Sequence, residues 1–187
     1  MKSIINCPYY YFDKAIPDQM CDLIIEVGKT KQQEEATLNS DSTLDNTFRK
    51  GDIRWMNEPW VQEILWTYLD NANKNANWNF LIDDKEDVQF ATYELGAFYN
   101  WHRDSDIKMK KYRKLSISAQ LTDPNEYEGG ELYIKHIWGE KKLPMDLETK
   151  NRGTIIIFPS CLLHKVTPVT KGVRHSLVQW FSGPDFV

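Results

Sequence analysis

The two halves of the chain differ in how their apolar residues are spaced. In the amino-terminal half, apolar residues recur at intervals of three and four positions after Pro17 and again after Pro59. This spacing is typical of one face of an α-helix, and proline is well tolerated in a helix's first turn. The pattern therefore predicts two amphipathic helices that begin near Pro17 and Pro59, with short strands at residues 9–12 and 53–56.

Residues 31–50 lie between the two predicted helices and have almost no apolar periodicity. They are rich in Ser, Thr, Asn and Asp, which favour turns and loops. We therefore expect a polar loop, and a loop of this length is a candidate lid over a binding site. The asparagine-rich residues 71–79 are expected to end the second helix for the same reason.

From residue 87 onward the chain consists of short β-rich runs separated by Gly, Pro and Asn. The six runs are VQFATYEL, LSISAQLT, GGELYIK, TIIIFP, HKVTPV and VRHSLVQWF. Because no helical period of useful length occurs among them, they predict an antiparallel sandwich or barrel. We expect a mainly β single domain over residues 1–187, in which a β core (86–187) carries the helical support (1–85) on its outside.

Composition and charge exclude several classes of protein. The chain has 187 residues with 23 basic and 27 acidic side chains, so its net charge of −4 gives no general attraction to nucleic acid or to anionic membranes. Its longest apolar stretch, residues 154–163, is interrupted by Pro159 and is shorter than the roughly 20 residues that span a membrane. Three scattered cysteines and an amino terminus without an apolar signal core favour a cytoplasmic location.

Histidine is rare in this chain, so its positions are informative. His102 and Asp104 are two positions apart, and such residues point to the same face of an extended segment. Asp106 shares this parity and is an alternative carboxylate. His164 begins a predicted strand, and together with one carboxylate the two imidazoles would form a facial metal site that leaves three positions of an octahedral Fe(II) open.

Arg174 follows a predicted turn at residues 168–172. Strand alternation puts Arg174 and Trp180 on one face of the returning strand and His175 on the other. The planar guanidinium of arginine suits the far carboxylate of a dicarboxylate co-substrate. Without the histidines, an edge-strand arginine exposed to solvent would explain Arg174 equally well.

Several motifs together resemble the 2-oxoglutarate- and Fe(II)-dependent oxygenases, in particular the prolyl 4-hydroxylase-like subgroup. The matching segments are Tyr93-x-x-Gly96-x-x-Tyr99-x-x-His102-x-Asp104, then Glu128-Gly129-Gly130-Glu131-Leu132, then His164-x-Val166-x-Pro168-Val169-x-x-Gly172-x-Arg174, and Trp180. The resemblance runs in order through residues 87–182. It implies a double-stranded β-helix (jelly roll) with a metal between its sheets, and the predicted helix pair is similar to that family's flanking helices.

The resemblance also implies three groups of site residues, with no catalytic residue beyond the metal ligands. The Fe(II) ligands would be His102, Asp104 and His164. The 2-oxoglutarate contacts would be Arg174, Tyr93 and Gln120. The residues around the oxidised part of the substrate would be Arg113, Tyr99 and Trp180.

The activity implied by the resemblance is hydroxylation of a prolyl residue in a protein or peptide. It would consume O2 and 2-oxoglutarate, release succinate and CO2, and use ascorbate as reductant. Retention of Asp104 favours hydroxylation, because the family's halogenases have a small residue there. The alternatives are hydroxylation of a free amino acid or small metabolite, and a non-enzymatic cupin-like metal-binding module. Nucleic-acid demethylation is disfavoured by the acidic balance.

Overall fold

Short strands and two longer helices make up most of the described chain. The computed structural model describes residues 7–35, 47–105, 112–135 and 147–184. In chain order the elements are β1 (Tyr10–Phe12), α1 (Asp18–Lys29), β2 (Glu34–Glu35), β3 (Arg49–Lys50), β4 (Asp52–Met56), α2 (Pro59–Asn75), β5 (Asp84–Lys85), β6 (Val88–Tyr93), β7 (Phe98–His102), β8 (Tyr112–Gln120), β9 (Tyr127–Gly129), β10 (Leu132–Ile134), α3 (Leu147–Lys150), β11 (Ile155–Pro159), β12 (His164–Val166), β13 (Val169–Gly172) and β14 (Arg174–Gly183).

The strands form three antiparallel sheets. The large sheet has the order β1-β11-β8-β14-β6-β4-β2, and β5 pairs with β14 off this path. A four-stranded sheet has the order β10-β12-β7-β3, and β13 pairs with β9. The prediction of a mainly β, antiparallel architecture is therefore confirmed.

Both long helices pack on the large sheet. Pro17 precedes α1 and Pro59 occupies the first turn of α2, as predicted. Their buried faces join one core with residues of the large sheet, including Phe90 and Phe181. A second core cluster, which includes Ile156 and Val166, forms where the large and four-stranded sheets face each other. The helices thus cover one side of the large sheet, and the space between the sheets lies on the other.

Helix α2 continues to Asn75, further than the asparagine-rich sequence predicts. The Asn73 side chain does not compete with the helix backbone. Its amide nitrogen donates to the Phe80 carbonyl (2.9 Å), and its oxygen accepts from the Phe80 N–H (3.0 Å). This buried side chain therefore anchors the chain that leaves the helix, which makes asparagine compatible with the final turns.

Two local predictions were wrong, and one short element was missed. Residues 31–50 are not wholly loop, because β2 pairs with β4 and β3 pairs with β7 at the two ends of this segment. Its central residues 36–46, like Asp106, lie outside the described residues, so the lid prediction stays open. Residues 168–172 are not simply a turn, since β13 pairs with β9. A single helical turn, α3, was also not predicted from the β-rich half.

The pairing of β13 with β9 depends on a glycine. Gly129 has φ 76°, and a Cβ atom there would lie 2.1 Å from the Pro168 carbonyl oxygen. A side chain at this position would therefore separate the two strands. This close approach depends on a partner strand 40 residues away, so the local pattern of residues 168–172 could not reveal it.

No helix in the described ranges combines the length and the apolar character that crossing a membrane would require.

The close packing of α1 on the sheet can be tested at Gly28. A Cβ atom added there would lie 2.7 Å from the fully buried Phe90 ring. We expect Gly28→Ala to lower the free energy of unfolding by about 1–2 kcal/mol, because overpacking outweighs alanine's helix preference. Urea unfolding measures this change, with Glu26→Ala on the exposed face of α1 as the control. A Gly28→Ala protein as stable as the parent would contradict the packing.

Candidate active site

His102, Asp104 and His164 meet between the large and four-stranded sheets. His102 ends β7 and His164 begins β12, and these two residues are direct partners in the antiparallel pairing. Asp104 follows β7 and is buried. His102 Nε2 lies 3.5 Å from Asp104 Oδ1, and His164 Nε2 lies 3.3 Å from Asp104 Oδ2. One potential ligand atom from each of the three residues lies within 4.8 Å of the others.

Backbone carbonyls fix the orientation of both imidazoles. His102 Nδ1 donates to the Asn100 carbonyl oxygen at 2.7 Å, and His164 Nδ1 donates to the Leu162 carbonyl oxygen at 3.0 Å. A carbonyl oxygen can only accept, so Nδ1 carries the proton in each ring. Nε2 of each ring therefore faces Asp104 and is the atom that can bind a metal once it is unprotonated.

A chain of two serines supports the Asp104 carboxylate. Ser116 Oγ donates to Asp104 Oδ2 at 2.7 Å and lies 2.8 Å from Ser160 Oγ. Because the one hydroxyl proton of Ser116 goes to the carboxylate, Ser160 donates to Ser116. The Ser160 carbonyl also accepts from the Asp104 N–H at 3.0 Å. Both the side chain and the backbone of Asp104 are thereby held.

The electrostatics of His102, Asp104 and His164, here called the triad, favour an ionised Asp104 carboxylate. Burial raises the pKa of Asp104, but the two imidazoles outweigh this effect and hold the pKa well below its usual range. Burial likewise opposes a charged His164, yet Asp104 raises the pKa of that imidazole above its usual value. For His102 burial dominates and lowers the pKa. Asp104 is therefore a carboxylate ready to bind a cation.

This donor set fits Fe(II). Two imidazole nitrogens and one carboxylate oxygen form the facial set that suits a six-coordinate ferrous ion and leaves positions for other ligands. A closed structural zinc site would need a fourth protein ligand. No such fourth ligand joins the cluster within the described residues.

Arg174 is buried at one end of the same cavity and is only 2% exposed. Its Nε and Nη2 donate to Gln120 Oε1 at 3.2 and 2.8 Å, and Nη1 donates to Ser176 Oγ at 3.3 Å. The Tyr93 ring lies 5.3 Å from the guanidinium carbon. These partners are all neutral. Among the described residues no carboxylate pairs with Arg174, so its charge is available to an anion in the cavity.

Two aromatic side chains, Trp180 and Tyr99, form another part of the cavity wall, and charged residues pack against Trp180. The Arg113 guanidinium carbon lies 4.0 Å from the Trp180 ring centroid, and Glu86 pairs with Arg113 through two hydrogen bonds of 2.5 and 2.6 Å. Arg113 Nη1 also donates to the Asp104 carbonyl oxygen at 3.3 Å. The Tyr99 ring stacks on His102 with centroids 3.5 Å apart, and burial raises the pKa of Tyr99 to about 12.

The structure brings all the predicted site residues together. Seven of them line one cavity, namely Tyr93, Tyr99, His102, Asp104, His164, Arg174 and Trp180. Gln120 and Arg113 contact this group through Arg174 and Trp180, respectively. The individual roles of these residues remain predictions, since their proximity alone does not test them.

Sequence reasoning missed Ser116, Ser160 and Glu86. Ser116 shares the strand parity of Ser118 and Gln120 on β8, so alternation was a signal that this serine faces the cavity. Ser160 and Glu86 lie at the ends of loops, and their partners are distant in sequence. No local pattern identifies such residues.

A buried two-histidine, one-carboxylate cluster between antiparallel sheets, with a buried arginine in the same cavity, defines a non-haem iron oxygenase type of site. The sequence profile of the 2OG-Fe(II) oxygenase superfamily matches residues 88–182. The chain belongs to this superfamily.

A PKHD-type hydroxylase from Aliarcobacter butzleri is 43% identical over 99 residues, which is 49% of this chain and 41% of that protein. This chain spans about half the length of the curated relatives that it matches. A prolyl-4-hydroxylase from Pseudomonas putida has the same fold, with a TM-score of 0.73, 20% identity and coverage of 96% of this chain and 95% of that one.

A prolyl hydroxylase from Trichoplax adhaerens, solved with a hypoxia inducible factor peptide fragment, has a TM-score of 0.66 at 14% identity and covers 95% of this chain and 84% of that one. These structural likenesses are consistent with the predicted jelly-roll oxygenase fold.

The support of Asp104 by Ser116 generates a testable prediction. We expect Ser116→Ala to weaken Mn(II) or Fe(II) binding about 10–100-fold, because the carboxylate loses the hydrogen bond that orients it. Isothermal titration calorimetry measures the affinity. Ser182→Ala, at a buried serine near the end of β14, is the matched control and should bind metal like the parent. Equal affinity in the two variants would rule out the supporting role.

Proposed function

We propose that this chain is an Fe(II)- and 2-oxoglutarate-dependent dioxygenase that hydroxylates a prolyl residue in a protein or peptide. The observation that carries the proposal is the His102, Asp104 and His164 cluster in one cavity with Arg174, a buried guanidinium that has only neutral described partners. Superfamily membership supports the same activity. We assign residues 1–187 to one oxygenase domain, since both helices share a core with the large sheet.

In this proposal the triad holds Fe(II) through His102 Nε2, His164 Nε2 and one Asp104 oxygen. When bound, Fe(II) with 2-oxoglutarate and O2 supplies the oxidising power for C–H hydroxylation, with succinate and CO2 as co-products. The protein's contribution at the metal is geometric. The carbonyls of Asn100 and Leu162 keep both rings in the ligating tautomer before any metal arrives.

Arg174 would bind the distal carboxylate of 2-oxoglutarate. Gln120 accepts two of its N–H groups and so fixes the plane of the guanidinium, which has five N–H donors in total. Ser176 accepts a third, which leaves donors for a carboxylate. Apolar side chains of Leu132 and Phe158 line the same cavity and limit water near this ion pair, which strengthens it.

The prolyl substrate rests on two supports. Several structural neighbours carry the name prolyl hydroxylase, although at this identity the likeness concerns the fold. The Trp180 ring and the stacked Arg113 also offer a flat surface beside the triad, on which a small ring could pack. Ascorbate is included in the proposal as the reductant that returns iron to the ferrous state.

The role of Arg174 is tested by Arg174→Gln. We expect the Kd of 2-oxoglutarate to rise roughly 100-fold, because a carboxylate would lose its buried charged partner. Calorimetry on the Mn(II)-loaded protein measures this Kd, and metal affinity should be unchanged. Lys171→Gln removes an exposed cation three residues away and serves as the control. An unchanged Kd in Arg174→Gln would refute this assignment.

The substrate is tested by incubation with a proline-rich peptide library, Fe(II), 2-oxoglutarate and ascorbate under air. We expect mass spectrometry to show the gain of one oxygen atom on a prolyl residue, with succinate formed in proportion. His164→Ala should give neither product, because one metal ligand is missing. Succinate formation without a modified proline would leave the dioxygenase standing and reject the prolyl substrate.

A further inference from the structure

A second arginine is buried beside the triad. Arg49, at the start of β3, is 8% exposed. Its Nη2 donates to Gln89 Oε1 at 2.8 Å, and its guanidinium carbon lies 4.4 Å from the Tyr99 ring centroid. Both partners are neutral. No carboxylate pairs with Arg49 in the part of the chain that the structure describes.

Both partners of Arg49 belong to the cavity wall. Gln89 and Tyr99 line the cavity that holds the triad, and the Tyr99 ring stacks on His102. Arg49 and Tyr99 are also direct partners in the pairing of β3 with β7. The positive charge of Arg49 is therefore one side chain removed from a predicted metal ligand.

The partners of Arg49 and Arg174 lie at different positions along strand β6. On β6, Tyr93 pairs with Arg174, whereas Gln89 pairs with Val178. Four residues along a strand correspond to about 13 Å. The 2-oxoglutarate carboxylate proposed for Arg174 would therefore not neutralise Arg49. A different anion would be needed to neutralise Arg49 beside Gln89.

The polar groups that the structure describes on this side do not supply that anion. Glu86 is already engaged in two hydrogen bonds with Arg113. Trp180 Nε1 is a buried donor with no hydrogen-bond partner among the described residues, and Trp180 lines the cavity. Two buried groups in this region therefore lack a partner among the described residues. The Arg49 guanidinium has no negative charge beside it, and the Trp180 indole N–H has no hydrogen-bond acceptor. Leaving either group unpaired in a buried position is costly.

We propose that Arg49 binds a carboxylate of the primary substrate, so that the enzyme hydroxylates a carboxylic acid whose target carbon lies close to its carboxylate. This inference rests on the proposed oxygenase function and narrows its substrate class. The same carboxylate chemistry is available from a free amino acid, from the carboxy-terminal residue of a peptide, or from an acidic side chain next to the target. Gln89 and Tyr99, which both contact the guanidinium, line the cavity that this carboxylate would enter.

Matched acids and amides test the requirement for a carboxylate. The probes are N-acetyl amino acids, beginning with N-acetyl-L-proline, and their carboxamides, titrated into the protein loaded with Mn(II) and 2-oxoglutarate. At least one acid should bind about tenfold more tightly than its amide, as a charge-assisted hydrogen bond provides. Free amino acids, peptides ending in the same residue and blocked peptides with an adjacent glutamate then distinguish the three sources.

Variants connect this preference to Arg49. Arg49→Gln should abolish the preference for acid over amide, while Arg49→Lys should retain part of it. The control Lys50→Gln removes an exposed cation on the same strand and should keep the full preference. A purely structural role for Arg49 would weaken acids and amides alike, so the acid-to-amide ratio separates the two explanations.

The outcomes are distinct from those of the proposed function. If no acid binds better than its amide to the parent protein, or if Arg49→Gln keeps the preference, the inference is overturned. The affinity for 2-oxoglutarate is measured in the same samples and should be unchanged in Arg49→Gln. Failure of the parent protein to bind 2-oxoglutarate would instead count against the oxygenase proposal, and the acid and amide comparison is then made on the Mn(II)-loaded protein alone.

Discussion

The site depends on one buried carboxylate placed between two imidazoles. Burying an ionised Asp104 without partners would be very costly, so His102, His164 and Ser116 must all be in place when the sheets close. The pairing of β7 with β12 puts the two histidines opposite each other. A slip of one residue in that register would turn one imidazole away from the carboxylate. The geometry of the candidate metal site therefore depends directly on the register of β7 and β12.

In the large sheet, the alternation of side chains along each strand separates residues of the cavity from residues of the core. Along β14, Arg174 and Trp180 face the cavity between the sheets, while Leu177 and Phe181 face the core under the helices. The helices thus contribute no residue to the cavity lining in the described chain. The helices instead bury the apolar face of the large sheet. This burial stabilises strands whose other face carries the polar residues of the cavity.

Periodicity predicted the mainly β fold and both long helices, and parity predicted that His102 and Asp104 share a face, because each of these is encoded locally. The family resemblance implied that the distant His164 joins them. His102 and Asp104 are two positions apart on an extended segment, and Arg174 and Trp180 share a strand face. What the sequence did not reveal depends on distant partners. Glu86 acquires its meaning from Arg113, and β13 exists because Gly129 lets a remote strand approach.

Arg49 shows this limit most clearly, because it lies in a polar segment that reads as a loop. Pairing with Tyr99 makes the end of that segment a strand and buries the guanidinium beside Gln89. Two buried guanidiniums with neutral described partners then belong to this region: Arg174 lines the cavity, and Arg49 lies behind the lining residues Gln89 and Tyr99. A carboxylate held at Arg174 would lie about 13 Å along β6 from Gln89, the partner of Arg49. The two guanidiniums are therefore assigned to separate acids in the two proposals, Arg174 to the co-substrate and Arg49 to the compound that is oxidised.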